Sequence, residues 1–138
     1  MTASIETTAT ALLEDVCDCP VRRWIDQEEK TAVQVIVHAN TPKSMHTDET
    51  GKTLVWQIDL DACVLVYMPD TDSVASLDTV RSAVFEEMQN WTVSDFTTET
   101  IAVDAILPND GNEGKDENFY YNVISLTMLI RQLPISTT

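Results

Sequence analysis

The stretch TLVWQIDLDACVLVY, Thr53 to Tyr67, constrains the fold more than any other part of the chain. Leu54, Trp56, Ile58, Leu60, Ala62, Val64 and Val66 fall on one alternating face, with no polar residue among them. Val55, Gln57, Asp59, Asp61, Cys63, Leu65 and Tyr67 fall on the other. Side chains two apart share one side of a strand, so this is a long strand with a sealed side and a mixed side. The mixed side holds too much apolar surface to be left bare to water, which points to contact with another subunit rather than to solvent.

The remaining elements are read around that strand. Ile5, Ala9, Leu12, Leu13 and Val16 make one helical stripe, which predicts a helix over residues 3–18 that stops before Pro20. Thr2 or Ser4 can cap it, and Glu6 sits where the helix dipole favours an acid. Residues 20–31 read as a mixed connector, and the β-branched run at 32–39 as a strand. The polar segment Asn40–Lys52, broken by Pro42 and Gly51, reads as a loop. Leu77, Val80, Val84, Met88 and Trp91 predict a second one-sided helix over 76–90. A threonine-rich turn, a strand at 99–106, a second polar loop from Pro108 to Asn118 and a long strand at 119–132 complete the chain.

The resulting order is α-β-β-α-β-β within a single domain spanning 1–138. Strands joined by loops without crossover helices pair as antiparallel hairpins, and two one-sided helices must share a sheet face. The expected class is therefore α+β: a two-layer sandwich, mainly antiparallel, with four strands and both helices on one side.

Charge limits the partners. Eight basic residues against 23 acidic ones give a net charge of −15. Such a surface repels nucleic-acid backbones, where cations must replace counterions, and anionic membranes as well. It fits either adaptation to a salt-loving host or a surface built to repel a polyanion. No run of apolar residues is long enough for a membrane span. The N-terminal segment lacks the basic start of a signal peptide, so a cytoplasmic setting with reduced thiols is expected for Cys17, Cys19 and Cys63.

The inventory of reactive motifs is thin. The chain has three glycines and no glycine-rich phosphate loop, no nucleophile elbow and no zinc-protease motif. Cys63 with His38 reads as a buried thiol and a strand-end imidazole. Asp59 and Asp61 stand about 6–7 Å apart, a spacing usable for acid–base work on a sugar, but no aromatic-lined cleft accompanies them. The acidic run Asp110–Asn118 departs from the calcium-loop pattern in its glycine positions. No catalytic, metal or cofactor residue is assigned, and no enzymatic activity is expected. Arg22, Arg23 and Trp24 read as an interface anchor or as a surface connector whose tryptophan caps the core.

Taken together, the N-terminal helix, the hairpin VQVIVHA to LVWQIDLDACVLVYM, the helix SLDTVRSAVFEEMQNW and the closing hairpin that ends in YYNVISLTMLIRQ resemble the tail-terminator (tail-completion) proteins of long-tailed bacteriophages and related archaeal viruses. The similarity spans about residues 3–132 and rests on the order of elements, because that family has no short invariant motif. The connector at 20–31 lacks the tyrosine-proline segment of many relatives. The resemblance implies a virion protein, made in the host cytoplasm, that forms a ring, usually a hexamer. The ring closes the tail tube, contacts the tail tube protein and the head–tail connector or adaptor, and lets DNA pass without binding it. It implies lumen or intersubunit positions at Gln57, Asp59, Asp61 and Tyr67. Ring-to-ring contacts would come from the two loops, at Lys43, His46, Asp48, Asn109, Asp110 and Lys115. The alternatives are a head–tail connector component, or a small soluble ligand-binding domain of a halophilic cell.

Overall fold

The computed structural model describes residues 1–24, 33–67, 71–115 and 119–133, without the side chains of residues 67, 71–76, 110, 112–115 and 119. The elements in chain order are α1 (Thr2–Glu14), β1 (Val21–Arg23), β2 (Val33–Ala39), β3 (Lys43–Thr47), β4 (Thr53–Tyr67), α2 (Thr71–Gln89), α3 (Val93–Phe96), β5 (Ile101–Lys115) and β6 (Phe119–Gln132). The chain is α+β, with one mixed sheet of six strands in the order β1-β2-β4-β6-β5, and β3 added beside β4.

β4 is the spine of this sheet. It pairs antiparallel with β6 along almost its whole length, from Trp56 opposite Ile130 to Tyr67 opposite Phe119. Its other edge is shared: β3 takes Thr53–Gln57 and β2 takes Leu60–Val66. The sealed side of β4 is the floor of the core. Ile58, Leu60, Ala62 and Val64 join Val35, Val37, Met128 and Ile130, and onto them pack Ile5 and Leu13 of α1, Val84 and Met88 of α2, and Phe96 of α3. Burying each such side chain contributes about 1.5–3 kcal/mol, so this one cluster fixes which way every long strand must face.

The expected four-stranded antiparallel sheet and the α-β-β-α-β-β order are corrected by three short elements. β1 runs parallel to β2, with Val21 opposite Val35. Three residues carry no readable periodicity, and this strand is set instead by Pro20, whose carbonyl accepts from the Val35 amide at 2.9 Å. β3 occupies the segment expected to be a loop, and all five of its side chains are exposed. With no buried face there is no alternation to read. α3 replaces part of the threonine-rich turn, and a reciprocal capping box between Thr92 and Asp95 defines its start.

Two boundaries also move. α1 ends at Glu14, and Val16, assigned to its apolar stripe, is 40% exposed. β5 continues from the expected strand through Pro108 into the expected polar loop. Proline is tolerated there because, among the described residues, β5 is an edge strand with no partner strand on its outer side. Register shifts between Val103 and Ala105 and between Asn109 and Asn112 let it follow β6. Gly111 lies in the second shift, where an added Cβ would stand 2.5 Å from the Val123 carbonyl oxygen.

One buried ion pair ties α1 to the sheet edge. Glu6 is 2% exposed; its Oε1 accepts from Arg23 Nε at 2.8 Å and its Oε2 from the Ala39 amide at 2.9 Å. It therefore joins α1, β1 and β2 rather than serving the helix dipole. Removing one member of a buried pair leaves the other charge unpaired. Glu6→Ala should lower the unfolding free energy in urea by about 3 kcal/mol. Arg23→Ala should also destabilise, and the Glu6→Ala/Arg23→Ala double variant should lose less than the sum of the two.

Candidate functional site

The described helices cover one side of the sheet, so the candidate site is the other side, on which Gln34 and Ile36 are buried. There Val55, Gln57, Asp59, Asp61, Cys63 and Leu65 of β4 are all half-buried. Register sets their neighbours. Asp59 lies opposite Thr127, Asp61 opposite Ser125, Cys63 opposite Val123 and Leu65 opposite Tyr121 on β6. On the β2 side, His38 lies opposite Asp61 and Ile36 opposite Cys63.

The two carboxylates are not free acids projecting into water. Asp59 Oδ1 accepts from Thr127 Oγ1 at 2.8 Å and from Gln57 Nε2 at 3.3 Å. Asp61 Oδ1 accepts from Ser125 Oγ at 2.6 Å, and Asn109 Nδ2 approaches that hydroxyl oxygen at 3.5 Å. The spacing is the physical reason. Two aspartates two apart on β4 meet a serine and a threonine two apart on β6, so each carboxylate meets one hydroxyl donor. The polar band continues across the sheet to His38, against which the Trp24 ring packs edge-on at 4.8 Å.

Beyond this band the face turns apolar. Ile36, Cys63, Leu65, Val123 and Tyr121 form a contiguous patch by register. Burial pushes the Cys63 thiol up to about 11, with the Asp61 charge adding to the effect. Gln34, beside this patch on β2, is 1% exposed, and its Oε1 has no hydrogen-bond partner among the described residues.

The residues singled out from the sequence separate into three groups. Gln57, Asp59 and Asp61 are brought together on the uncovered side, as above. The Tyr67 side chain lies outside the described residues. Arg22 is half-buried and Trp24 is 51% exposed, whereas Arg23 is committed to Glu6. Lys43, His46 and Asp48 belong to the β3–β4 hairpin. Asn109 sits on β5, and the side chains of Asp110 and Lys115 on the same strand lie outside the described residues. Ser125 and Thr127 were not singled out, although their spacing on β6 matches that of the aspartates and carries the signal.

Asp48 shapes its hairpin rather than projecting as a free charge. Its Oδ1 accepts from the Thr50 hydroxyl at 2.6 Å, the Thr50 amide at 2.9 Å and the Lys52 amide at 3.0 Å. Gly51 supplies the positive φ of 86° that the turn requires. A separate cavity of about 490 Å³ opens between α2 and the β5–β6 hairpin, lined by Arg81, Phe85, Pro108, Asn109 and Leu126. The Arg81 guanidinium lies 5.9 Å from the Phe85 ring centre at this opening. Among the described residues, no group of three or more His, Cys, Asp or Glu is placed to hold a metal ion, and no helix is long and apolar enough to cross a membrane.

No protein-family model and no curated protein matches the chain. Among solved structures, one protein whose name states no function superposes with a TM-score of 0.58 at 13% identity, over 98% of this chain and 94% of its own. At that identity the likeness is one of fold alone.

Two outcomes follow from this geometry. A double-mutant cycle between Asp61→Ala and Ser125→Ala should give a coupling of about 1.5–3 kcal/mol in chemical unfolding, the range for a hydrogen bond to a charged acceptor. The Asp48 carboxyl is held below its ordinary value, first by the Thr50 hydroxyl and then by the Lys52 amide. Because the folded value is the lower one, the turn keeps its full support above the ordinary carboxylate value and loses it as pH falls through the depressed one. The Thr50 amide resonance should therefore titrate only below about pH 4, and the Asp48→Asn variant should abolish that titration.

Proposed function

We propose that this protein is a virion structural subunit: a tail terminator that closes the tail tube as a ring of its own copies, a hexamer, and joins it to the head–tail connector. The observation that carries this reading is the uncovered side of the sheet. Among the described residues no helix packs on it, its half-buried end carries Cys63, Leu65, Tyr121 and Val123, and its charged middle is already organised by Ser125 and Thr127. A head-to-tail contact between identical copies, closed by rotation, is the economical way to cover such a patch.

The acidity supports the same reading. A ring that lets DNA through must not hold it, and a chain of net charge −15 repels phosphates that come within about a Debye length of its surface. The β3–β4 hairpin, stiffened by Asp48, and the long β5–β6 hairpin are the projecting parts suited to touch the rings above and below. These are the tail tube on one side and the connector on the other. A connector component would use the same surfaces, and binding to isolated tail tubes rather than to portal rings would distinguish the terminator.

Electron microscopy and native mass spectrometry of the purified chain should show closed rings that grow in population with protein concentration and with salt, which screens the like charges. Leu65→Lys, in the apolar patch, should disperse the rings while leaving cooperative unfolding intact. A strictly monomeric chain under all these conditions, including in the presence of tail tubes, would overturn the proposal.

The cavity beside Arg81 and Phe85 favours one other reading, a small ligand-binding domain. Its volume of about 490 Å³ lies within the range of small-molecule sites. In that case a hit from a metabolite screen should raise Tm with the logarithm of ligand concentration above Kd, and Phe85→Ala should remove the shift.

A further inference from the structure

We infer that the cavity between α2 and the β5–β6 hairpin takes a small aromatic carboxylate, with Arg81 as its anion partner and Phe85 as its stacking surface. The inference rests on the ligand-binding reading of this cavity and names the class of ligand. It does not depend on the assembly reading, since its chemistry lies on α2 and on the helix-covered side of β6.

The register of β6 decides which of its side chains reach the cavity. Asn122, Ile124 and Leu126 lie opposite Val64, Ala62 and Leu60 of β4, which form the floor of the core, so these three point toward α2. Ile124 and Leu126 are buried, as is Met88 of α2, and together they give the space of about 490 Å³ an apolar base. Pro108 of β5, opposite Leu126, closes it on the strand side. Asn122 is a buried polar side chain in the same wall, and its amide carries both donors and acceptors. An apolar chamber with a few placed polar groups is the usual construction of a small-molecule site.

The mouth supplies the selectivity. Arg81 and Phe85 stand one helical turn apart and so share one face of α2. Both are exposed, and the guanidinium carbon lies 5.9 Å from the ring centre. In a chain with 23 acidic residues and eight basic ones, an arginine without a carboxylate stands out. Arg23 and Arg131 each hold one, at 2.8 and 2.7 Å, whereas among the described residues none lies within ion-pair reach of Arg81. Its guanidinium is available to an external carboxylate through two parallel N–H donors. The Phe85 ring beside it, 42% exposed, offers a surface to a second ring. A ligand that satisfies both has an aromatic body for the apolar base and a carboxylate at the rim. The net charge of −15 would draw in a cationic ligand, but that ligand meets the Arg81 charge at the entrance. A neutral one gains the apolar base and leaves Arg81 unused.

The probes are naphthylacetate and its neutral near-isostere naphthylacetamide, titrated into the full chain at neutral pH and followed by backbone amide shifts. The carboxylate should bind about tenfold more tightly than the amide, the advantage of one charge-assisted pair at a solvent-facing mouth. The shifts should concentrate at residues 81–89 and 122–126. Arg81→Gln should bring the two affinities to within about twofold of each other, and Arg81→Lys, which keeps the charge without the fork, should restore part of the preference. Phe85→Leu should weaken both probes alike, by about fivefold. Both positions are exposed on α2, so the variants should keep the Tm of the unaltered chain, which separates lost binding from lost structure. Equal binding of the two probes, or a preference that survives Arg81→Gln, would overturn the carboxylate assignment and leave the cavity reading standing. Shifts centred elsewhere on the chain, or no shift from either probe at millimolar concentration, would overturn both.

Discussion

One constraint organises the molecule: β4 has a side with no polar residue, and that side must be sealed. Ile58, Leu60, Ala62, Val64 and Val66 are each at most 1% exposed. A shift of one residue in the pairing with β6 or β2 would carry the whole set to the opposite side of the sheet and bring Asp59 and Asp61 under the helices. The register is thus fixed by burial, and everything else is placed relative to it. The helices can occupy only one side, and the hydroxyls of β6 can meet the carboxylates of β4 only in the register that burial selects.

The second constraint is the scarcity of cations. With 23 acidic residues and eight basic ones, most carboxylates cannot be neutralised by an ion pair. The arginines that are paired go to specific tasks. Arg23 holds the buried Glu6, where an uncompensated charge would cost several kcal/mol. Arg131 forms a two-pronged contact with Asp104 at 2.7 and 2.9 Å across the exposed β5–β6 edge. Other acids are answered by neutral donors instead: Asp48 by a turn, Asp59 and Asp61 by hydroxyls and an amide, Asp95 by the Thr92 backbone. A protein built this way depends little on salt-sensitive pairs, which suits a chain with so large a net charge.

These two constraints explain what the sequence makes legible. Alternation is visible where one side of a strand is buried more than the other, and β4 meets that condition from Ile58 to Val66, while Leu54 on the same side is exposed. The stripes of α1 and α2 are visible for the same reason, since each buries one side. The elements that escape notice lack such contrast. β3 is exposed on every residue, β1 is three residues long, and the second half of β5 is composed of residues that ordinarily mark turns. Each is held by tertiary pairing with a neighbour whose own register is already fixed. The Asp59–Asp61 pair is legible as a feature but not as a site, because its meaning depends on Ser125 and Thr127, more than sixty residues away. Glu6 is similar: its position near a helix start is ordinary, and only the arrival of Arg23 and the Ala39 amide makes it structural.

The division of the uncovered side into two parts bears on how copies of the chain could meet. Each aspartate is satisfied by one hydroxyl but keeps acceptor capacity that water can fill. If a neighbouring copy covered this band, it would have to bring donors of its own, since desolvating a carboxylate costs several kcal/mol. The chain has few cations to bring. The half-buried Cys63, Leu65, Val123 and Tyr121 carry no such cost, and covering what they still expose is favourable in proportion to the apolar area removed from water. On the proposed reading, contact between copies belongs at the apolar end, where β2 begins and β4 ends, rather than at the middle of the sheet. The aspartate band is then left facing solvent, where its charge can act at a distance on whatever passes.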